Sequence, residues 1–316
     1  MPTRNGSIRL FRLFGITVFL HWSWFVVAVL RYQLGGWHRY ESFNWYILEY
    51  VSLFLIVLMH EFGHQLACRS VGGQTHDIVL WPLGGVAYVS PPQRPGAQLW
   101  SIVAGPLVNV ILFPLFFFLL IFGKSAGWEV SNPDVYTYVY MIFAINTVLL
   151  VFNLMPIYPL DGGQILRSLL WFVCGRAHSL MIASIIGLIG VAGVILYAVT
   201  SFISAPPDEK SSSIWIGIMA AFILMNCWSG LMQARAMIKM ANAPRRQGFA
   251  CPVCKTAPPL GAIWRCGKCR QQFDTFETQG ICPHCQTQYA ATSCPECGNL
   301  RPISEWMTSA NVPPKS

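Results

Sequence analysis

Residues 51–64 read Val-Ser-Leu-Phe-Leu-Ile-Val-Leu-Met-His-Glu-Phe-Gly-His, an apolar run that ends in two histidines and a glutamate. Residues four apart on a helix return to nearly the same face, so His60 and His64 can offer two imidazole nitrogens to one zinc ion. Glu61, one position on, can act on a water molecule at that ion. The alternative is a polar cluster at the end of a membrane helix, although ionisable residues at membrane depth are costly and usually functional. The stretch predicts a catalytic zinc site inside a membrane.

The chain around this stretch is too apolar for a water-soluble globule. Of its 316 residues, 54% are hydrophobic and 11% are charged, whereas about 25% are charged in an ordinary soluble domain. Windows long enough to cross a hydrocarbon core of roughly 30 Å are Leu13–Leu30, Trp45–Cys68, Leu99–Phe122, Tyr136–Met155, Leu180–Ile203 and Ile214–Ala234. We therefore predict an α-helical polytopic membrane protein with about six transmembrane helices.

Positive charges in the connections predict the orientation of these spans. With a cytoplasmic N-terminus, four cations face the far side, namely Arg31, Arg39, Lys124 and Lys210. Eleven then face the cytoplasm: Arg4, Arg9, Arg12, Arg69, Arg94, Arg167, Arg176, Arg235, Lys239, Arg245 and Arg246. This excess predicts cytoplasmic N- and C-termini in the cell (inner) membrane, and it explains the net charge of +8 by topology and anionic lipid rather than by nucleic acid.

A second polar motif follows the fourth predicted span, on the same side of the membrane as His60 and His64. Residues 156–163 read Pro-Ile-Tyr-Pro-Leu-Asp-Gly-Gly. Because proline cannot continue a helix and Asp-Gly-Gly is common in turns, one interpretation is a loop capped by an Asx turn. The other is that Asp161 supplies the third protein ligand of the zinc ion. Irregular backbone at membrane depth is tolerated where it lines a wet cavity, which suits an active site.

These motifs resemble those of the site-2 proteases, which are intramembrane zinc metalloproteases. The resemblance rests on His60-Glu61-x-x-His64 and on the run from Asn153 to Gly163. It extends over about residues 8–235, with shorter matches at Pro82-Leu-Gly84-Gly85-Val86, Gly105-Pro106-x-x-Asn109 and His21-Trp22-Ser23-Trp24. It implies zinc held by His60, His64 and Asp161, with Glu61 as general base and Asn153 as polar support near the reacting carbonyl.

Other polar residues in the spans have two interpretations. Asn109 and Asn146 suit either a hydrogen bond between packed helices or a catalytic role. His21 lies among aromatic residues and is more typical of packing than of metal binding.

Residues 77–81 and 86–89 predict two short strands around a glycine turn, which form a small β-hairpin between spans two and three. The hairpin is either a plain surface feature or an edge strand that holds an unwound substrate.

The composition changes after residue 240, which predicts a membrane domain over 1–240 and a small cytoplasmic domain over 241–316. Eight of the 11 cysteines form four C-x-x-C pairs: Cys251/Cys254, Cys266/Cys269, Cys282/Cys285 and Cys294/Cys297. Two such pairs complete a closed Cys₄ zinc shell, so the pattern predicts a tandem zinc-ribbon tail, without deciding which pairs join. Disulfides suit the cytoplasm poorly, and an iron–sulfur centre is an alternative. Mixed charges favour a docked protein partner over nucleic acid.

The sequence thus predicts an intramembrane zinc endopeptidase that cleaves transmembrane segments of membrane proteins in the lipid bilayer. It predicts one catalytic and two structural Zn²⁺ ions. The competing hypotheses are a catalytically silent scaffold that recruits partners through its ribbons and a metal transporter. Ionisable residues retained at membrane depth disfavour the scaffold, and the lack of charged residues in the last four spans disfavours the transporter.

Overall fold

A computed structural model describes residues 6–33, 38–81, 84–204 and 210–307 of the chain. The chain divides into two compact units at Ala234/Arg235. The first contains strands β1 (Ser7–Leu13), β2 (Ile16–His21), β3 (Gln74–Trp81) and β4 (Gly84–Ser90). Its helices are α1 (Ser23–Gln33), α2 (Phe43–Ser70), α3 (Pro95–Ser125), α4 (Trp128–Ser131), α5 (Pro133–Leu154), α6 (Asp161–Ser204) and most of α7 (Lys210–Ala241).

Four helices in the described part of the chain are long and apolar enough to cross a membrane: α2, α3, α5 and α6. They contain the second to fifth predicted spans. The sixth, Ile214–Ala234, lies within α7, where the side chains of 210–215 are outside the description. The fold class is therefore a helical membrane protein in which four of the six predicted crossings meet this length and composition test.

The first predicted span, Leu13–Leu30, is wrong as a single helix. Residues 16–21 form a strand, and α1 has only 11 residues, which is about 16 Å of helix. Ile16 and Val18 are fully buried while the residues between and after them are half-buried. This is the period of two that marks a strand, and apolar content alone does not reveal it. The predicted orientation depends on this crossing and stays a prediction.

The predicted hairpin is part of a larger sheet with the strand order β1-β2-β3-β4. Strands β2 and β3 pair in parallel, and the other two pairings are antiparallel. Pro82 and Leu83, which the resemblance includes, lie outside the described residues. Strand β4 pairs only with β3 among the described strands, so its other side is a free edge.

The sheet packs on the part of α2 that carries the two histidines. Ile16, Val18, Ile78 and Leu80 form one buried cluster with three residues of α2: Val57, Leu58 and Phe62. Burying these large side chains stabilises the structure by roughly 1.5–3 kcal/mol each. The sheet therefore supports the part of α2 that contains His60 and His64.

Up to residue 307, where its described part ends, the second unit contains the end of α7, four short strands and one 3₁₀ helix. Strand β5 (Trp264–Arg265) pairs with β6 (Gln272–Phe273), and β7 (Ala291–Ser293) pairs with β8 (Leu300–Pro302), which leads into the 3₁₀ helix Ile303–Trp306. Trp306 is fully buried, and Trp264 packs against both small apolar cores. This shared tryptophan makes the two cores one folded unit.

Candidate active site and cysteine clusters

Helix α2 brings the two predicted histidine ligands together. The spacing of four residues places His60 Nε2 and His64 Nε2 3.2 Å apart. His60, Glu61 and His64 are all buried, with 3%, 5% and 8% of their surface exposed. Buried ionisable groups need partners, and the partners of the two histidines lie on two other helices, α3 and α6.

The carboxylate of Asp161, the first residue of α6, closes the cluster. Its Oδ2 lies 3.0 Å from His60 Nε2 and 3.4 Å from His64 Nε2. The preceding loop is held on both sides, because Gln164 Nε2 donates to the Pro159 carbonyl at 2.9 Å and Cys227 Sγ donates to the Tyr158 carbonyl at 2.7 Å. The structure thus favours the ligand interpretation of Asp161 over a simple turn.

Hydrogen bonds at the Nδ1 atoms of His60 and His64 fix the tautomer of each imidazole. His64 Nδ1 lies 2.9 Å from the Ser101 carbonyl, which can only accept, so His64 Nδ1 carries the proton. Asn146 Nδ2 donates to the Asn109 carbonyl, which leaves Asn146 Oδ1 to accept from Asn109 Nδ2. Asn109 Oδ1 therefore faces His60 Nδ1 at 2.6 Å and accepts its proton. The Nε2 atom of each histidine therefore carries a lone pair and no proton.

The converging atoms are all hydrogen-bond acceptors, which identifies what they can hold. Two lone pairs and a carboxylate oxygen repel one another at 3.0–3.4 Å unless a cation lies between them. Tetrahedral zinc with bonds of about 2.1 Å to such ligands has neighbouring ligand atoms about 3.4 Å apart. His60, His64 and Asp161 therefore fit a zinc ion with three protein ligands and one open position.

Close approach of α2 and α3 requires glycine at two positions beside this cluster. A Cβ atom on Gly105 would lie 2.2 Å from His64 Nε2 and 2.9 Å from His60 Nε2. A Cβ atom on Gly63 would lie 2.5 Å from the Ala104 carbonyl oxygen. Any larger residue at 105 would occupy the space of the His60 and His64 side chains.

Glu61 and Asn153 are the two predicted site residues that are not among the three converging side chains. Glu61 is buried in α2, next to His60 in the sequence. Asn153 is half-buried in the last turn of α5, and its side chain does not join the hydrogen-bonded cluster of the described residues. The catalytic roles of Glu61 and Asn153 stay predictions. His21 bonds to Ser23 and packs against Trp81, as expected of a packing residue.

Sequence reasoning left Asn109 and Asn146 open and did not identify Ser101. The signal for Asn109 was its place shortly after the small residues Ala104 and Gly105, which allow helices to approach closely. Ser101 contributes only its backbone carbonyl. Every residue type has such a carbonyl, so the sequence gives no sign of this contact.

The eight tail cysteines form two nested clusters rather than two consecutive ones. The first C-x-x-C pair joins the fourth, with Cys251 Sγ 3.8 Å from Cys297 Sγ and Cys254 Sγ 3.6 Å from Cys294 Sγ. The second pair joins the third at Sγ distances of 3.5 and 3.6 Å, in the cluster Cys266, Cys269, Cys282 and Cys285. Tetrahedral zinc with bonds of about 2.3 Å to sulfur separates neighbouring sulfurs by about 3.8 Å. Both clusters are compatible with zinc ribbons, although a tandem order is not observed.

All four pairs share one backbone geometry. In each, the first cysteine's N–H donates to the carbonyl five residues on, and its carbonyl accepts from the N–H four residues on, at 2.8–3.0 Å. The residue after each second cysteine has a positive φ of 55–73°: Lys255, Arg270, Gln286 and Gly298. This tight turn presents both thiolates on one side.

Tyr289 tunes one of these thiols. Its hydroxyl lies 3.2 Å from Cys266 Sγ and accepts from the Gly267 N–H at 2.7 Å. The hydrogen bond to Tyr289 lowers the pKa of Cys266 to about 5. A lowered pKa favours the thiolate, which is the form that binds metal.

Comparison with known proteins agrees with the geometry of the membrane cluster. The model of Peptidase family M50 matches residues 49–130 and 125–197, which include all four residues His60, Glu61, His64 and Asp161. A zinc metalloprotease of Methanocaldococcus jannaschii is 34% identical over 183 residues, 58% of this chain and 51% of the relative. A protein of Synechocystis sp. is 28% identical over 255 residues, 75% of this chain and 62% of the relative.

The chain therefore spans about half to three fifths of the length of these two relatives. Among solved structures, a site-2 protease from Methanocaldococcus jannaschii matches with a TM-score of 0.49 and 25% identity, over 71% of this chain and 95% of the other. The segment that matches the model of Peptidase family M50 holds the complete histidine and aspartate cluster, and over this segment the chain is similar to zinc metalloproteases.

Proposed function

We propose that this chain is an intramembrane zinc endopeptidase that cleaves transmembrane segments of membrane proteins, as in regulated intramembrane proteolysis. The observation that carries the proposal is the acceptor-only cluster of His60, His64 and Asp161, with the buried Glu61 beside it. Its ligands lie on helices that are long and apolar enough to cross a membrane.

The residues of the cluster suit peptide hydrolysis. A zinc ion held there would supply Lewis-acid chemistry to the scissile carbonyl and to the attacking water. Glu61 accepts a proton from that water as it attacks the carbonyl carbon, and returns the proton to the amine nitrogen as the C–N bond breaks. Asn109 and Ser101 hold the two imidazoles in one tautomer throughout. Asn153 is proposed as a hydrogen-bond donor to the reacting carbonyl.

Strand β4 is proposed as the place where the substrate is held. A transmembrane helix hides its peptide bonds in its own hydrogen bonds, so cleavage requires an extended segment. The free edge of β4 offers backbone partners for such a segment, and β4 packs against α2, the helix that carries Glu61.

The tail is proposed to hold two structural zinc ions and to dock a protein partner or the substrate. Four cysteines around each ion leave no open position for chemistry. With the membrane site, the chain would bind three zinc ions. We further propose that both termini are cytoplasmic and that the membrane is the inner membrane, on the basis of the positive charges in the connections.

The test is Glu61→Gln, which removes the base and leaves the three ligands in place. We expect cleavage of a transmembrane substrate to fall at least about 10²–10⁴-fold, with the zinc content by elemental analysis unchanged. Glu129→Gln, at an exposed glutamate of α4, is the matched control and should cleave like the wild type. Normal turnover by the Glu61 variant would reject the proposed chemistry.

A further inference from the structure

The thiol of Cys227 is a buried hydrogen-bond donor that belongs to none of the three clusters described above. It lies on α7, is fully buried, and donates to the Tyr158 carbonyl with an Sγ–O distance of 2.7 Å. Tyr158 lies in the loop between α5 and α6, and the following residue, Pro159, has no N–H. The backbone hydrogen bonds inside this loop use the carbonyls of Met155 and Ile157. The thiol of α7 therefore serves a backbone acceptor of a loop 69 residues away.

Glycine on α6 fixes where this thiol lies. A Cβ atom on Gly187 would lie 2.5 Å from Cys227 Sγ and 3.2–3.3 Å from the backbone N and O atoms of Tyr158. The absence of a side chain at 187 thus lets α6, the thiol and the loop meet in one place. A Cβ atom on Gly230 of α7 would lie 3.1 Å from Cε1 of the Tyr158 ring. Tyr158 is therefore packed closely by both α6 and α7.

Apolar contacts join the rest of the loop to α7. One buried cluster contains a residue of the loop, one of α6 and three of α7: Ile157, Val191, Ala220, Ile223 and Cys227. Three more loop residues pack against it, namely Met155, Tyr158 and Leu160. A hydrogen bond and a hydrophobic cluster therefore hold the same loop on the same helix.

The loop in turn contacts the first turn of α6, which begins with Asp161. A Cβ atom on Gly163 would lie 2.6 Å from the Ile157 carbonyl oxygen and would overlap the Tyr158 backbone nitrogen. Because the two backbones are this close, a shift of Tyr158 displaces the start of α6. Asp161 Oδ2 lies 3.0 and 3.4 Å from the two histidine Nε2 atoms, so such a displacement would change the spacing of the proposed zinc ligands.

We propose that Cys227 is a positioning residue of the zinc site. Its hydrogen bond to Tyr158 holds the loop, and the loop holds the Asp161 carboxylate beside His60 and His64. Cys227 acts through the loop and not on the zinc ion or the substrate. The inference rests on the proposed function, because it requires zinc at these three side chains, but it does not require that any substrate is cleaved.

The test measures the zinc affinity of the membrane site in the full chain. The protein is equilibrated in neutral detergent at a series of chelator-buffered zinc concentrations, and bound zinc is counted by elemental analysis. His64→Asn gives the zinc content without the membrane site. Cys227→Ala removes the donor and should weaken zinc binding at least about tenfold, because groups that orient metal ligands typically contribute 10–100-fold. Cys227→Ser keeps a donor at this position and should restore most of the affinity.

Gly187→Ala moves the thiol away from Tyr158 without removing it, and should weaken zinc binding to a similar degree. Its control is Gly193→Ala on the same helix, where no atom lies within 4 Å of the added Cβ. The control for the cysteine is Cys174→Ala, because the Cys174 thiol donates to the Leu170 carbonyl of its own helix at 3.2 Å. Both controls should bind zinc as the wild type does.

Wild-type zinc affinity in a folded Cys227→Ala variant would overturn the proposal, even if its thermal stability is lowered. Equal weakening by the Ala and Ser variants would also overturn it, because the donor would then not matter. If Cys227→Ala does not fold, Gly187→Ala decides the question in the same way. A wild-type chain that binds no more zinc than His64→Asn would reject both the zinc site and the positioning role. Zinc bound as expected, with no cleavage of any membrane substrate, would reject the proposed function alone.

Discussion

The membrane cluster and the cysteine clusters of this chain assemble their ligands in opposite ways. His60 and Asp161 are 101 residues apart, and the imidazoles between which a zinc ion fits are oriented by α3 and α5. Each cysteine cluster consists of two copies of a short turn that forms its own hydrogen bonds. The histidine and aspartate cluster depends on the packing of several helices, whereas the geometry of each cysteine cluster is set by its own local turns.

The ligand number follows the same division. Three ligands from a preformed scaffold leave a position free for chemistry, while four thiolates close the shell. The small cores around the cysteines supply limited burial, so metal bound at the clusters would contribute much of the folding free energy of the second unit. Disturbing the helices should therefore affect one site alone, and disturbing one thiolate should affect the fold around it.

The largest effect that separates the two sites is expected from Gly105→Ala. Its new Cβ would lie 2.2 Å from His64 Nε2, so the ligands must move apart and zinc should be lost from the membrane site. Cleavage should fall at least about 100-fold, because small misplacements at a reacting centre are that costly. Elemental analysis should show one zinc ion fewer per chain. Gly193→Ala, where no atom lies within 4 Å of the added Cβ, is the control and should be silent.

A large but confined effect is expected from Cys282→Ser. It removes one thiol from the cluster of Cys266, Cys269, Cys282 and Cys285. Because the apparent free energy of zinc binding at structural sites is about 10–16 kcal/mol, losing one of the four sulfur ligands is sufficient to unfold a small ribbon. Limited proteolysis should then cut within residues 241–307 while the membrane zinc and cleavage of a short artificial substrate remain. Loss of the membrane zinc in this variant would show that the two sites are coupled. Cys174→Ser, at a thiol outside both clusters, serves as the control.

The smallest effect on catalysis is expected from truncation after Ala243. The removed part contains both cysteine clusters and none of His60, Glu61, His64 and Asp161. A short artificial substrate should be cleaved at the wild-type rate, and only the natural substrate should be selected less well. If the truncated chain inserts and binds zinc but cleaves neither substrate, the tail is part of the catalytic apparatus.

Local patterns made much of this molecule predictable. The spacing of His60 and His64 needs only one helix turn, and each C-x-x-C pair needs only one tight turn. Asp161 is distant in sequence, and it became a candidate because the predicted spans returned it to the same membrane side. The long apolar windows likewise identified α2, α3, α5 and α6.

Features that depend on tertiary pairing were not predictable in the same way. Strand β2 was taken for membrane helix because Ile16, Val18 and their neighbours are apolar, and only the sheet reveals their alternation. The pairing of the C-x-x-C motifs was equally unpredictable, because all four have the same spacing and the sequence does not distinguish which two join. The Asn146–Asn109–His60 relay joins three helices, and no local spacing encodes it.

The nesting of the cysteine pairs sets the order in which the tail can mature during synthesis. Cys251 and Cys254 leave the ribosome first, but their partners Cys294 and Cys297 are made about 40 residues later, whereas the inner four thiols are complete after Cys285. The second and third C-x-x-C pairs can therefore bind their ion before Cys294 and Cys297 have been synthesised. Closing that loop then brings the first and fourth pairs closer together. Ribosome-bound chains stopped beyond residue 285 should bind their first zinc ion at Cys266, Cys269, Cys282 and Cys285.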